Sequence, residues 1–190
     1  RKNINMFCVI NLRWRKRFFR ILFLFVFLWC AINLFFPREH FAIIKKYSAQ
    51  YNVEPTLILA IIHAESKFKA TAISNKGARG LMQLSKSTSD WAAKEIGLQN
   101  YSYEQIFDPQ INIQIGCWYI EKLFKQFDSF TLAVCAYNAG SGNVTKWLQK
   151  YSPDGKKLSY IPFKETRDYL KKVVRYKKIY DFLLIVFHKR

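Results

Sequence analysis

Glu65 is the residue in this sequence that is best placed to do chemistry. It closes an apolar stretch, LILAIIHAE at residues 57–65, so its carboxyl would lie at the end of a helix suited to burial. Burial disfavours the ionised form of a carboxyl and raises its pKa, and the partial negative charge at a helix C-terminus acts in the same direction. A carboxyl that stays protonated near neutral pH can act as a general acid. The residues alone leave open the alternative that Glu65 is exposed on the last turn of its helix.

The elements that would position Glu65 are predicted to be helices. No stretch of Val, Ile and Thr alternates with polar residues in the way that is typical of strands. Pro55 suits the first turn of the Glu65 helix, and a loop rich in Gly, Asn and Ser follows at residues 67–80. Ser85 is a candidate N-cap for the next helix, which Gly97 would end. We therefore predict an all or mostly α domain.

A long central helix is predicted to open at the Asp-Pro pair of residues 108–109, with Asp as the N-cap. Its apolar residues recur at helical spacing: Ile113, Cys117, Ile120, Phe124 and Phe127. Two shorter helices would follow around Gly140 and Gly142. A last helix would run from near Phe163 toward Phe187. The central helix is expected to be largely buried.

Cys117 and Cys135 lie among apolar residues of these predicted helices, and we interpret both as buried free thiols. A bridge between them would be possible outside the cell, so the pairing stays open at this point. No cysteine and histidine spacing in the sequence is typical of a metal site. We expect neither a metal nor a cofactor.

The beginning of the chain is typical of a membrane anchor. Residues 1–38 carry eight basic side chains and no acidic one, and residues 21–36 form an apolar run of 16 with one polar interruption, Asn33. With residues 18–20 the run approaches the roughly 20 residues that cross a bilayer as a helix. A cleavable signal peptide is the main alternative, but bulky residues stand where such a signal has small ones. We predict an uncleaved span.

The charge of the chain indicates its topology and the kind of partner it has. Lysine and arginine outnumber aspartate and glutamate by 31 to 13, which gives a net charge of +18. Basic residues before a span tend to remain cytoplasmic, so everything after Phe36 would face outward. A nucleic-acid role is the competing interpretation of the basic stub, and we reject it because a basic flank beside a span is ordinary topology signalling. We predict a stub and anchor at residues 1–37 and a catalytic domain at 38–190.

Three separated motifs lie at and after Glu65. The first is E-S-x-F at Glu65, with Ser74 nine residues later and G-A-x-G-L-M-Q ending at Gln83. The second is A-Y-N-A-G at residues 136–140 followed by G-N-V, and the third is I-P-F-K-E-T-R-D-Y at residues 161–169. These motifs resemble those of the Slt-type lytic transglycosylases, relatives of goose-type lysozyme; they stand in that family's order and together cover about residues 41–180. The resemblance implies a lysozyme-like domain behind the membrane helix.

The resemblance also implies an activity. The family cleaves the β-1,4 bond between N-acetylmuramic acid and N-acetylglucosamine in peptidoglycan and leaves a 1,6-anhydro ring. Glu65 matches the catalytic acid, which would protonate the glycosidic oxygen and then, as a carboxylate, accept the proton of the muramoyl C6 hydroxyl. No acidic residue lies between Glu65 and Asp90, which fits a mechanism with one carboxylate. Glu165 or another distant residue could still supply a second one in space.

The resemblance further implies five substrate-binding residues: Ser74, Gln83, Tyr137, Asn138 and Glu165. Three of them have structural alternatives, since Tyr137 would also suit core packing, Asn138 a helix C-cap and Glu165 the first turn of a helix. The chain departs from the family in the continuation of GLMQ, where an apolar residue and then Pro are common. Here Leu84 is followed by Ser85 and Lys86, which leaves the apolar sugar contact of that position open.

Three other functions stay open on the sequence. One is a muramidase of the same fold that admits water to C1 of the sugar. Another is a catalytically idle module that binds the wall within an envelope complex, and the third is a basic membrane-surface protein without a sugar site. The order of the motifs favours the lytic transglycosylase.

Overall fold

The computed structural model describes the backbone of residues 2–152 and 155–187 and the side chains of residues 14–152 and 155–186. The chain divides after Arg38 into two compact units. The described helices are α1 (Lys2–Phe35), α2 (Phe41–Gln50), α3 (Pro55–Glu65), α4 (Lys86–Glu95), a 3-10 helix (Tyr103–Phe107), α5 (Pro109–Phe127), α6 (Phe130–Ala139), α7 (Ser141–Tyr151) and α8 (Lys164–Phe187). The prediction of a mostly α protein is confirmed. The 3-10 helix was not predicted.

The first unit consists mainly of α1, which contains the apolar run. The segment Trp14–Phe35 is 22 residues long, has a mean hydropathy of 2.3 and buries none of its side chains within the protein. By length and composition alone, this segment could cross a membrane. Whether α1 is an uncleaved anchor stays a prediction, and so does the assignment of residues 38–190 to a catalytic domain.

The second unit is built around α3, whose residues Thr56 through Ile62 are all buried. α3 packs mainly against α8, α2 packs on α3 and α5, and α6 packs against α5, α7 and α8. Because α3 is covered by neighbours on most sides, it carries apolar residues around its whole circumference rather than along one stripe. This arrangement fixes the end of α3, and therefore Glu65, against the rest of the domain.

The predicted helix starts agree with the observed caps. The Ser85 hydroxyl accepts a hydrogen bond from the Thr88 N–H at the start of α4, and the Asp108 carboxylate accepts one from the Ile111 N–H at the start of α5. Pro55 stands at the first turn of α3 as expected. These local signals involve residues within one helical turn, which is why the sequence reveals them.

The loop between α3 and α4 is held to the core by the buried side chain of Asn112 on α5. Its Oδ1 accepts a hydrogen bond from the Met82 N–H at 2.9 Å, and its Nδ2 donates to the carbonyl oxygens of Ile106 at 2.9 Å and Arg79 at 3.3 Å. Gly80 lies directly against this amide with a φ of 79°, so a side chain there would meet Asn112. The loop therefore has a defined path although it forms only isolated β-bridges within the described chain.

Candidate active site

One cavity, of about 280 Å³, brings together all six residues that the sequence predicted for the site. Its lining residues are Glu65, Ser74, Asn75, Lys76, Ala78, Gln83, Tyr137, Asn138 and Glu165. They come from the end of α3, the loop that follows it, the end of α6 and the start of α8. The roles of these residues stay predictions, but their convergence on one cavity makes a shared ligand possible.

Glu65 is half-buried at the end of α3, and burial raises the pKa of its carboxyl to about 7. The Tyr169 hydroxyl and the positive charge of Lys172 oppose this shift of the pKa, whereas the negative charge of Glu165 adds to it. The net result is a carboxyl whose protonated and ionised forms are both populated near neutral pH. Such a group can give up a proton and later take one back.

Tyr169 is a neighbour of Glu65 to which the sequence had assigned no role. Its side chain is 7% exposed, and its hydroxyl lies near enough to the Glu65 carboxyl to lower the pKa of that group. The two groups do not form a well-aligned hydrogen bond, and the hydroxyl has no other such partner among the described residues. A buried hydroxyl without a well-aligned partner costs free energy. The sequence contained one indication of a role for Tyr169, namely its position as the last residue of the third motif.

Tyr137 lies at the end of α6 and both lines the cavity and supports it. Its hydroxyl donates a hydrogen bond of 2.7 Å to the carbonyl oxygen of Met82, and its ring packs on Tyr119 with centroids 5.6 Å apart. Burial raises the pKa of Tyr137 well above its ordinary value, so the hydroxyl stays a donor. The prediction of a cleft residue and the alternative of core packing therefore both describe Tyr137.

Asn138 is fixed by a hydrogen bond in which Thr166 Oγ1 donates to its Oδ1 at 2.8 Å. Thr166 is 1% exposed, and this partly buried contact joins α6 to α8. The alternative that Asn138 is the C-cap of its helix is wrong, because Gly140 occupies that position with a φ of 85° that glycine adopts at little cost. Its Nδ2 group is not used by the contact with Thr166.

Ser74 and Gln83 belong to the loop between α3 and α4. The Ser74 Oγ accepts a hydrogen bond from the Ala78 N–H at 3.0 Å, which leaves the hydroxyl proton for another acceptor. The Gln83 Nε2 donates to the carbonyl oxygens of Ala72 at 3.1 Å and Gly80 at 2.9 Å. These two bonds do not use the Oε1 atom of Gln83, which can accept from a ligand.

Glu165 lies in the first turn of α8, as its structural alternative predicted, and also lines the cavity. Its carboxylate lies 3.8 Å from the Lys76 ammonium, and the two side chains are 74% and 86% exposed. An ion pair this exposed contributes little stability, between about 0 and 1 kcal/mol. The contact between Lys76 and Glu165 links the loop to α8 across the cavity, and it is weak enough for a ligand to break.

Two features near the site do not take part in it. His63 does not line the cavity; its Nδ1 lies 3.0 Å from the Tyr180 hydroxyl and its ring stacks on Tyr176. Cys117 and Cys135 are buried and unpaired, which confirms the interpretation as free thiols, and burial raises their pKa values to about 12 and about 11. Within the described residues no cluster of His, Cys, Asp and Glu could hold a metal ion.

The fold is lysozyme-like, and comparison with known proteins identifies the family of the chain. Residues 42–159 match the model of the Transglycosylase SLT domain, so the chain belongs to that family. The soluble lytic murein transglycosylase of Escherichia coli K12 is 32% identical over 162 residues, which is 83% of this chain and 25% of that protein. The membrane-bound lytic murein transglycosylase E of Buchnera aphidicola is 32% identical over 165 residues, which is 78% of this chain and 76% of that protein.

Solved structures agree with this family assignment. An inactive mutant of the lytic transglycosylase Slt from Pseudomonas aeruginosa superimposes with a TM-score of 0.73 at 32% identity, covering 84% of this chain and 27% of that one. The 70-kDa soluble lytic transglycosylase, solved in complex with bulgecin A, superimposes with the same TM-score at 31% identity. The chain therefore has the fold of these enzymes. It spans about a quarter of the length of the soluble relatives.

Proposed function

We propose that this protein is a membrane-anchored lytic transglycosylase that cleaves the β-1,4 bond between N-acetylmuramic acid and N-acetylglucosamine in peptidoglycan. The observation that carries the proposal is Glu65, a carboxyl with a pKa of about 7 in the cavity that unites the three motifs. The names of its relatives, soluble and membrane-bound lytic murein transglycosylases, support the same substrate.

The proposed reaction uses Glu65 twice. The protonated carboxyl donates its proton to the glycosidic oxygen as the bond from C1 to that oxygen breaks, which releases N-acetylglucosamine with a hydroxyl group. The Glu65 carboxylate then accepts the proton of the muramoyl C6 hydroxyl while the C6 oxygen attacks C1. The product carries a 1,6-anhydro ring, Glu65 is protonated again, and no water is consumed. A pKa near neutrality suits both steps because neither form of Glu65 is strongly disfavoured.

The remaining residues would hold the glycan in place. We assign the free hydroxyl proton of Ser74 and the amide groups of Gln83 and Asn138 to hydrogen bonds with sugar hydroxyl and acetamido groups. Tyr137 would form the aromatic wall beside Glu65. Glu165 would bind sugar from the opposite side, in exchange for its loose contact with Lys76. No cofactor, metal or nucleic acid enters this proposal.

A muramidase is the second candidate, and one observation favours it. Glu165 lines the same cavity and its charge reaches Glu65, so a second carboxylate is available to activate water. Against this, the Glu165 carboxylate is paired only with Lys76 and is largely exposed, so nothing holds it in a position to direct water at C1. The products of the two reactions differ, because hydrolysis leaves a reducing muramic acid end.

We also propose that α1 anchors the protein and that the domain lies outside the cytoplasm. Several relatives are named as membrane-bound, and α1 contains an apolar segment of sufficient length. The basic residues before the apolar run at residues 21–36 favour a cytoplasmic N-terminus, which leaves the domain on the side where peptidoglycan lies. Protease added to intact spheroplasts should digest the domain; full protection would contradict this topology.

Mass spectrometry of digested peptidoglycan tests the proposed reaction directly. We expect muropeptides with 1,6-anhydro ends from the wild-type protein. Glu65→Gln should lower the rate by several orders of magnitude without unfolding the domain, because it removes the proton but keeps the shape. Glu95→Gln, at an exposed position on α4, is the matched control and should keep full activity.

Three outcomes would contradict the proposal. Reducing muramic acid ends without anhydro products would establish the muramidase. Glycan binding without any bond cleavage would favour the idle wall-binding module. More than half of the wild-type activity in Glu65→Gln would remove Glu65 from its assigned role.

A further inference from the structure

Trp91 is an exposed aromatic residue that neither the core nor the cavity accounts for. It lies on α4 and is 46% exposed, although indole side chains usually lose most of their contact with water. The other exposed side chains of α4 are polar: Lys86, Ser87, Lys94 and Glu95. Trp91 is therefore a single apolar surface within a polar surrounding.

The Trp91 ring is held in one orientation by two aromatic residues of α5. It meets the ring of Trp118 edge-on with centroids 4.7 Å apart and the ring of Tyr119 edge-on with centroids 6.4 Å apart. Trp118 is itself only 5% exposed, so the support is part of the core. One side of the Trp91 ring is thus fixed, and the rest faces solvent. A ring held in this way loses little conformational entropy when it binds a ligand.

Trp91 is continuous with the candidate active site through these aromatic contacts. Tyr119, which supports Trp91, also packs on Tyr137, and Tyr137 lines the cavity with Glu65. Along the chain, Gln83 lines the same cavity and lies two residues before Ser85, the N-cap of α4. A row of three rings therefore leads from the cavity to the surface of α4.

We propose that Trp91 is a stacking platform for a sugar ring of the glycan strand, at a distance from the bond that is cut. A pyranose ring has a face of C–H groups that packs on an aromatic ring, while its hydroxyl groups stay hydrated by the polar surrounding. A protein partner would need a larger apolar patch than one indole. The identity of the ligand rests on the proposed function, because the glycan strand is the substrate of the adjoining cavity.

Binding of oligosaccharides of two lengths tests the platform. The full chain in mild detergent, carrying Glu65→Gln so that no bond is cut, is titrated calorimetrically with the dimer and the hexamer of β-1,4-linked N-acetylglucosamine. We expect the hexamer to bind more tightly than the dimer, and Trp91→Ala to weaken hexamer binding roughly tenfold while reducing the gain from length. Trp91→Phe keeps a ring and should retain most of that gain. Phe182 is an exposed aromatic residue near the C-terminal end of α8, away from Glu165. Phe182→Ala should change neither the affinity for the dimer nor that for the hexamer.

The outcomes separate a sugar platform from a structural role. The proposal would be overturned if Trp91→Ala bound the hexamer as tightly as the parent does. It would also be overturned if Trp91→Ala weakened dimer and hexamer binding equally, or if the parent bound the hexamer no more tightly than the dimer. If Trp91→Ala fails to fold, tryptophan fluorescence is measured instead in the parent and in Trp91→Phe. Adding the hexamer should shift the emission maximum more in the parent than in Trp91→Phe, and equal shifts in the two proteins would overturn the proposal. Because no step requires bond cleavage, length-dependent binding through Trp91 can stand even if the anhydro products of the proposed function are not found.

Discussion

The raised pKa of Glu65 makes the stability of the domain depend on pH in a way that one substitution removes. Burial raises this pKa from 4.5 to about 7, so the folded protein binds the proton more tightly than the unfolded chain does. The stabilisation is therefore fully present below pH 4.5 and is lost as the pH rises toward 7. With about 1.4 kcal/mol per pKa unit, the loss amounts to about 3 kcal/mol. In Glu65→Gln the neutral amide has no proton to lose.

Thermal unfolding of both proteins between pH 4 and pH 8 measures this difference. Near pH 4 the wild type and Glu65→Gln should have similar stability, because a protonated carboxyl and an amide have nearly the same size and charge. By pH 8 the variant should be more stable by about 3 kcal/mol, which corresponds to roughly 6–12 °C in Tm for a domain of this size. Unfolding is followed in mild detergent by near-UV circular dichroism, which detects the loss of fixed packing around the aromatic side chains of the domain.

Taking the difference between the two proteins removes the contribution of every other titrating group. Glu95→Gln serves as the control and should follow the wild type across the range, because this side chain is exposed. A stability difference that stays constant with pH would refute the reasoning, since Glu65 would then titrate alike in the folded and unfolded chains. A variant that loses stability relative to wild type as the pH rises would reverse the assigned sign.

Two further substitutions test the contacts around the site. Tyr169→Phe should raise the pKa of Glu65, because the Tyr169 hydroxyl lowers that pKa in the wild type. The alkaline limb of the pH profile of kcat/KM should therefore move to higher pH, with little loss of stability. An alkaline limb at the wild-type pH would contradict the contact between Tyr169 and Glu65. Gly80→Ala should cost at least about 2 kcal/mol more than Gly77→Ala in thermal unfolding, because both glycines have a φ of 79° but only Gly80 lies against Asn112. Equal losses of Tm would show that the backbone conformation alone matters.

The sequence predicts those parts of the site that depend on neighbouring residues. The caps at Ser85 and Asp108 and the apolar run before Glu65 were readable because each involves about one turn of helix. The convergence of Glu65 with Tyr137 and Glu165 was anticipated only through the resemblance to a family. Nothing in composition or spacing places the ends of α6 and α8 beside the end of α3.

The remaining features depend on packing between distant helices, which local patterns do not specify. Tyr169 reaches Glu65 because α8 packs on α3, yet α3 is apolar around its circumference and so does not indicate which side meets α8. Asn112 reads as a polar residue near the start of a helix, but in the fold it is fully buried. Trp91 likewise reads as a helical core residue until its exposure is known.

The peptide unit of Met82 is held from two directions, since its N–H bonds to Asn112 on α5 and its carbonyl oxygen accepts from Tyr137 on α6. Moving the wall of the cavity away would break both hydrogen bonds inside the domain and leave buried polar groups unpaired. Met82 precedes Gln83, which lines the cavity together with Tyr137, so this part of the cavity wall is held by contacts within the domain. Little of the binding free energy of a ligand would therefore be spent on ordering it.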